Sequence, residues 1–221
     1  MTRAPVVVVD VGLGNLRSVE RALHAAAAAE GLPLEMVRTS NDPGAVREAG
    51  ALVMPGQGAF GDCATALHRH GGVLARAVAD HLAADRPYLG ICLGLQVLFE
   101  RSAEAPGAAG LGIFPGEVRR FADGVTDARG ERLKVPHMGW NQVRARDAQA
   151  AAWLGDDAWY YFVHSFYVVP DDGAVVAGET SHGATFASAV ARGRLRAVQF
   201  HPEKSQRAGI TLLRSFLRDT P

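Results

Sequence analysis

Near its start the chain carries an unbroken apolar run, Pro5 to Asp10, made almost wholly of valine. A run without polar alternation reads as a strand covered on both faces. Asn15 can cap a helix over about 16–29, closed by Gly31 and Pro33. The alanines at 25–29 read as helix propensity rather than low complexity. Residues 34–38 predict a second strand, Asp42-Pro43 a short helix, 51–54 a third strand and 73–84 another helix. A short buried strand follows at 87–91, then a helix over 93–101 with Leu93, Val97 and Leu98 at helical spacing.

After about Gly110 the pattern changes. Strands are predicted at 117–121, 133–135, 141–146, 159–168, 174–180, 184–191 and 195–200. Turn residues punctuate them, among them Asp123-Gly124, Arg129-Gly130, His182-Gly183 and Arg192-Gly193. A last helix covers about 208–217. Strand–helix alternation followed by hairpins predicts a three-layer α/β fold. Its central sheet is mostly parallel, with antiparallel strands added from the second half, and one domain spans 1–221.

Composition narrows the function. The apolar fraction is 48% and the charged fraction 21%, an ordinary globular balance. Basic and acidic residues match at 23 each, so no basic excess invites nucleic acid. No apolar run approaches a membrane span. Met1-Thr2-Arg3-Ala4-Pro5 leads directly into the valine strand and reads as too short for a secretory signal. Two cysteines, Cys63 and Cys92, make no disulfide framework, and a reducing cytoplasm is the expected compartment.

The chemistry concentrates at Gly90-Ile91-Cys92-Leu93-Gly94, a cysteine version of the nucleophile elbow G-x-S-x-G. A sharp strand-to-helix turn would lift Cys92 above the sheet end, and a helix dipole would favour its thiolate. By itself the pentapeptide also fits a buried apolar cysteine. Val198 to Lys204 ends an apolar strand in His201-Pro202-Glu203. In extended backbone residues two apart share a side, which would set the imidazole beside a carboxylate as base and orienter. A solvated surface turn is the plain alternative. Pro55-Gly56-Gln57-Gly58 can turn N–H groups toward a developing oxyanion together with the Leu93 N–H, or can be a tight turn and nothing more.

Other constellations lead less far. Gly12-Leu13-Gly14 lacks the third glycine of a dinucleotide fingerprint, with Arg17 in its place, so no nucleotide cofactor is expected. His68 and His70 would face different directions on a helix and make no metal pair. Cys63 has no base nearby and reads as structural, and His137 and His164 read as packing residues.

With these motifs in hand the chain resembles the class I (triad) glutamine amidotransferases. More narrowly, it resembles the glutaminase subunits of imidazole glycerol phosphate synthases. The likeness runs nearly end to end. It is carried by Asp10 to Leu16, Pro55 to Phe60, Gly90 to Gln96, Pro136 to Asn141, His164 to Tyr167 and Phe200 to Ser205. Leu95 stands where methionine is expected, a volume-conserving change. The resemblance implies Cys92 as nucleophile, His201 as base and Glu203 as its orienter. It implies Gln57 and Leu93 N–H groups in the oxyanion hole. Gly58, Gln96 and Glu104 would hold L-glutamine, with Tyr161 near the site. It implies no cofactor and no metal. It also implies a (β/α)8-barrel cyclase subunit as partner, met by Asn15, Trp140 and Lys204. The glycines flanking Gln57 could let that loop hold its N–H away from the hole until the partner binds its nucleotide. A stand-alone γ-glutamyl cysteine hydrolase, an idle scaffold on the same fold and a glutaminase feeding another synthase are the rival readings.

Overall fold

The computed structural model describes residues 4–127 and 129–220. Met1-Thr2-Arg3, the start of the segment read above as no signal, therefore lies outside the described residues.

The first half winds as βα units: β1 (Val6–Val9), α1 (Leu16–Ala29), β2 (Val37–Ser40), α2 (Pro43–Glu48), β3 (Ala51–Gly56), α3 (Phe60–Ala83), β4 (Tyr88–Cys92) and α4 (Leu93–Gln96). The second half is strand-rich: β5 (Phe99–Ser102), β6 (Phe114–Arg120), β7 (His137–Ala145), α5 (Ala148–Leu154), β8 (Ala158–His164), β9 (Phe166–Pro170), β10 (Val176–His182), β11 (Ala184–Arg192), β12 (Leu195–Val198) and α6 (Gln206–Arg218). All strands join one sheet. Its main path runs β2-β1-β3-β4-β12-β11-β10-β7-β8, and β9 leads from β11 through β6 to β5. The block β2-β1-β3-β4-β12 is parallel. Beyond β12 the path continues antiparallel.

The sheet separates two cores. Alternate valines of β1 divide between them: Val6 and Val8 pack with α1, α5 and α6, Val7 and Val9 with α2 and α3. That division explains why the strand is apolar throughout. In α1 the buried positions are Val19, Ala22, Leu23, Ala26 and Ala27. In α6 they are Gly209, Leu212, Leu213, Phe216 and Leu217. Both sets follow the three–four spacing of a single helical face.

Several elements differ from their sequence expectations. Residues Leu34–Met36 form a 3-10 turn, so β2 begins only at Val37. The helix expected over 93–101 stops after one turn, and Phe99–Ser102 becomes β5. The strand expected over 159–168 breaks at Ser165 into β8 and β9, which pair with different neighbours. Residues 133–135 belong to no strand, and α5 appears where none was expected. Helix α3 starts upstream of its expected position, at Phe60, and leaves helical geometry at Arg69–Gly72.

Candidate active site

The site forms where β3, β4 and β12 end together. Cys92 is the last residue of β4 and the N-cap of α4, with φ 54° and ψ −102°, a strained pair for any residue with a side chain. Gly94 makes this turn possible, because a Cβ there would collide with the Met54 carbonyl oxygen of β3. The Tyr88 hydroxyl donates to the Gly94 carbonyl oxygen at 2.9 Å and ties the first turn of α4 back to β4. A helix of one turn has little dipole to offer the sulfur. Support for the sulfur must come from side chains.

The parallel register brings the remaining groups to it. Gly56 of β3 pairs with Cys92, so the Gln57 loop departs beside the sulfur. Gly14, at φ +93°, lets the loop after β1 lie against the Gln57 backbone nitrogen, which gives the glycines of that loop a packing role. On the other side Val198 of β12 pairs with Ile91. The next residues, Gln199 to His201, therefore emerge alongside Cys92.

His201 Nδ1 lies 2.8 Å from Glu203 Oε1, and both side chains are almost fully buried. The pair meets by a different route from the one expected: Pro202–Lys204 is a 3-10 turn, not extended backbone. The His201 N–H donates to the Tyr161 carbonyl and the Ser205 hydroxyl donates to the His201 carbonyl, which locks the turn. Burial, the largest influence on His201, pushes its pKa down. The Cys92 sulfur and then Glu203 outweigh it, and the imidazole rises from its ordinary value to about 9. Cys92 acts here as an electrostatic partner without a hydrogen bond of normal geometry, since Nε2 has none among the described residues.

A cavity of about 410 Å³ opens over Cys92, within the range of small-ligand sites. Gln57, Gly58, Leu93, Gln96, Glu104, His201 and Lys204 line it, together with five residues not singled out as site residues: Pro136, Val163, His164, Ser165 and Phe166. Glu203 stands behind His201, away from the opening. Glu104 Oε2 accepts the Phe60 N–H at 2.7 Å and so also anchors the start of α3. Tyr161 does not line the cavity; its ring lies under the Lys204 ammonium at 5.7 Å. Trp140, 44% exposed, packs edge-on to Tyr161 across the β7–β8 pair. Asn15 caps α1 through Ser18 N–H and stays outside the cavity.

Sequence reasoning missed Gln199. Its Nε2 donates to Cys92 Sγ at 3.5 Å, and it is completely buried. Its position beside the His-Pro-Glu step was the one available signal. Among the described residues no group of histidines, cysteines or carboxylates could hold a metal ion, and no helix is long and apolar enough to cross a membrane.

Cysteine, imidazole and carboxylate in this order suit acyl transfer through a thioester. The family model for class-I glutamine amidotransferases matches residues 7–220, and the chain belongs to that family. It is similar to the imidazole glycerol phosphate synthase subunit HisH of Methylococcus capsulatus, 47% identical over 219 residues, covering 98% of this chain and 97% of that protein. The HisH subunit of Nitrosospira multiformis is 48% identical over 98% of both chains. A solved glutamine amidotransferase shares the fold at a TM-score of 0.70, with 18% identity over 97% of this chain and 98% of that one.

Proposed function

We propose that the protein is the glutaminase subunit of an imidazole glycerol phosphate synthase, acting in histidine biosynthesis in the cytoplasm. The observation that carries this reading is the meeting of Cys92 and His201 in the lining of one cavity, with Glu203 bonded to the far side of the imidazole, in a chain 47% identical to a HisH subunit over 98% of its length.

In this mechanism Cys92 attacks the side-chain amide carbon of L-glutamine, and the carbonyl oxygen takes the negative charge. Backbone N–H groups of Gln57 and Leu93 receive it. His201 gives its proton to the departing nitrogen, ammonia leaves and a thioester remains. Water then attacks the thioester, His201 takes the water proton, and glutamate departs as the thiolate is restored. Glu203 holds the imidazole in one orientation throughout. Gly58, Gln96 and Glu104 hold the glutamine. Tyr161 contributes from behind Lys204 rather than by touching the substrate. No cofactor takes part.

Ammonia must reach a synthase without dilution, and the outer face of β7–β8 suits a docking partner. Met138, Trp140 and Trp159 are 62%, 44% and 55% exposed, and Trp140 and Tyr161 pair across the strands. Lys204 joins this face to the cavity. The partner in this reading is a (β/α)8-barrel cyclase, contacted by Asn15, Trp140 and Lys204. The test is glutamate release by the purified chain, alone and mixed with the cyclase and its nucleotide. Cys92→Ala should abolish release while free ammonia still supports the cyclase. Survival of glutamine use in that variant would end the proposal.

A further inference from the structure

The family mechanism leaves Gln199 without a task, yet its amide nitrogen is aimed at the nucleophile. We propose that Gln199 is a positioning residue for the Cys92 sulfur, held to that task through Gln96 by the Phe166 carbonyl, on which a second line of hydrogen bonds from Asn141 of β7 also ends. The inference deepens the glutaminase reading and rests on it for its kinetic consequences.

The direction of every bond in these two lines is forced by groups that have one role each. The Phe166 carbonyl can only accept. It receives Gln96 Nε2 at 3.1 Å and His164 Nδ1 at 2.8 Å, which uses both of its lone pairs. Gln96 is thereby fixed with nitrogen toward Phe166, and the same nitrogen donates to Gln199 Oε1 at 3.2 Å. Gln199 is then fixed with its oxygen toward Gln96 and its N–H toward sulfur. A flipped amide would set nitrogen against nitrogen at one end and oxygen against sulfur at the other.

The same logic runs outward. With Nδ1 donating, neutral His164 accepts at Nε2 from His137 Nδ1, 3.0 Å away. His137 then accepts at Nε2 from Asn141 Nδ2 at 3.1 Å. Asn141 cannot flip either, because Nδ2 also donates to the Ser181 carbonyl and Oδ1 accepts the Gln142 N–H. The imidazoles must stay neutral for this polarity to hold. Burial, first, keeps His137 and His164 far below the ordinary histidine value, near about 3 each; neighbouring histidines add to it. His137 also stacks on His182, with ring centres 4.1 Å apart. The Phe166 carbonyl therefore joins β7, where the exposed Trp140 directly precedes Asn141, to the line that ends in an N–H favouring the charged form of the nucleophile.

The test reads the thiol directly. Besides His201, the titratable groups lining the cavity are Glu104, His164 and Lys204, and none of them changes in the variants. Gln199→Leu removes the donor, and Gln199→Glu keeps the volume but places an acceptor beside sulfur. Iodoacetamide labelling of Cys92 across pH, read by mass spectrometry, gives the midpoint of its reactivity. The midpoint should rise by about one unit in the Leu variant and further in the Glu variant. Glutamine turnover should fall by about tenfold or more in kcat, with KM changing far less. Folding is checked by circular dichroism; should the Leu variant not fold, the isosteric Glu variant decides. Wild-type labelling midpoints in the folded variants would overturn the proposal. Shifted midpoints in a protein that hydrolyses no glutamine would support the positioning role and remove the glutaminase reading instead.

Discussion

The two cysteines show how far position alone separates chemistry. Cys63, on α3 and wholly buried, has its thiol pushed up to about 12 by burial, which keeps it a packing group. Cys92 is nearly as buried, yet it faces a cavity, an imidazole and the Gln199 amide. Glu203 reaches the sulfur only through His201, so its removal should act on proton handling. We expect Glu203→Gln to lower kcat about a hundredfold or more. It should also lower the His201 pKa, because Glu203 is one of the two groups holding it up. A raised folded-state pKa adds stability that is complete below the ordinary value of 6.5 and is lost as pH rises through about 9. Between pH 6 and 10 the thermal midpoint of Glu203→Gln should therefore fall less than that of the wild type and level off at a lower pH.

At the scale of elements, the helices with strong local signals were legible in the sequence. Asn15 and Asp42 cap α1 and α2 where the cap pattern put them. The misplaced elements lie where a tertiary partner overrides a local pattern. Leu93, Val97 and Leu98 have helical spacing, but the Leu111 N–H bonds the Val97 carbonyl and Ile113 and Phe114 bond Leu98, which draws the chain off α4 after one turn. The apolar run 159–168 could not announce its break at Ser165, because both pieces remain strand. Helix α5 was overlooked despite readable ends: Asp147 accepts the Ala150 N–H at 2.7 Å, and Gly155 follows with φ 77°. Asp147→Ala should cost about 1 kcal/mol in a urea melt, the usual worth of an N-cap. In the site, the elbow and the His-Pro-Glu step were visible as spacing. The Gln96–Gln199 contact was not, since no local pattern records a bond between residues that far apart.

At the scale of the whole molecule, the C-terminal helix fastens the first. Glu30, just past α1, accepts from Arg214 and Arg218 of α6 at 2.6 Å each. The two guanidiniums, Arg218 first, hold its carboxyl at about 2. A depressed folded-state pKa gives stability that is present above the ordinary carboxylate value and lost as pH falls toward about 2. Glu30→Gln should therefore melt below the wild type at pH 7, and the two melting curves should converge under acid. The same long reach governs the sheet, where β12 lies between β4 and β11. The sulfur is laid down before the second half of the chain is made, and the imidazole beside it arrives just after the last strand. A polypeptide that stops short of β12 would expose an unassisted thiol and leave the sheet split at its centre. Competence for catalysis is thus also a certificate that translation ran through the final strand.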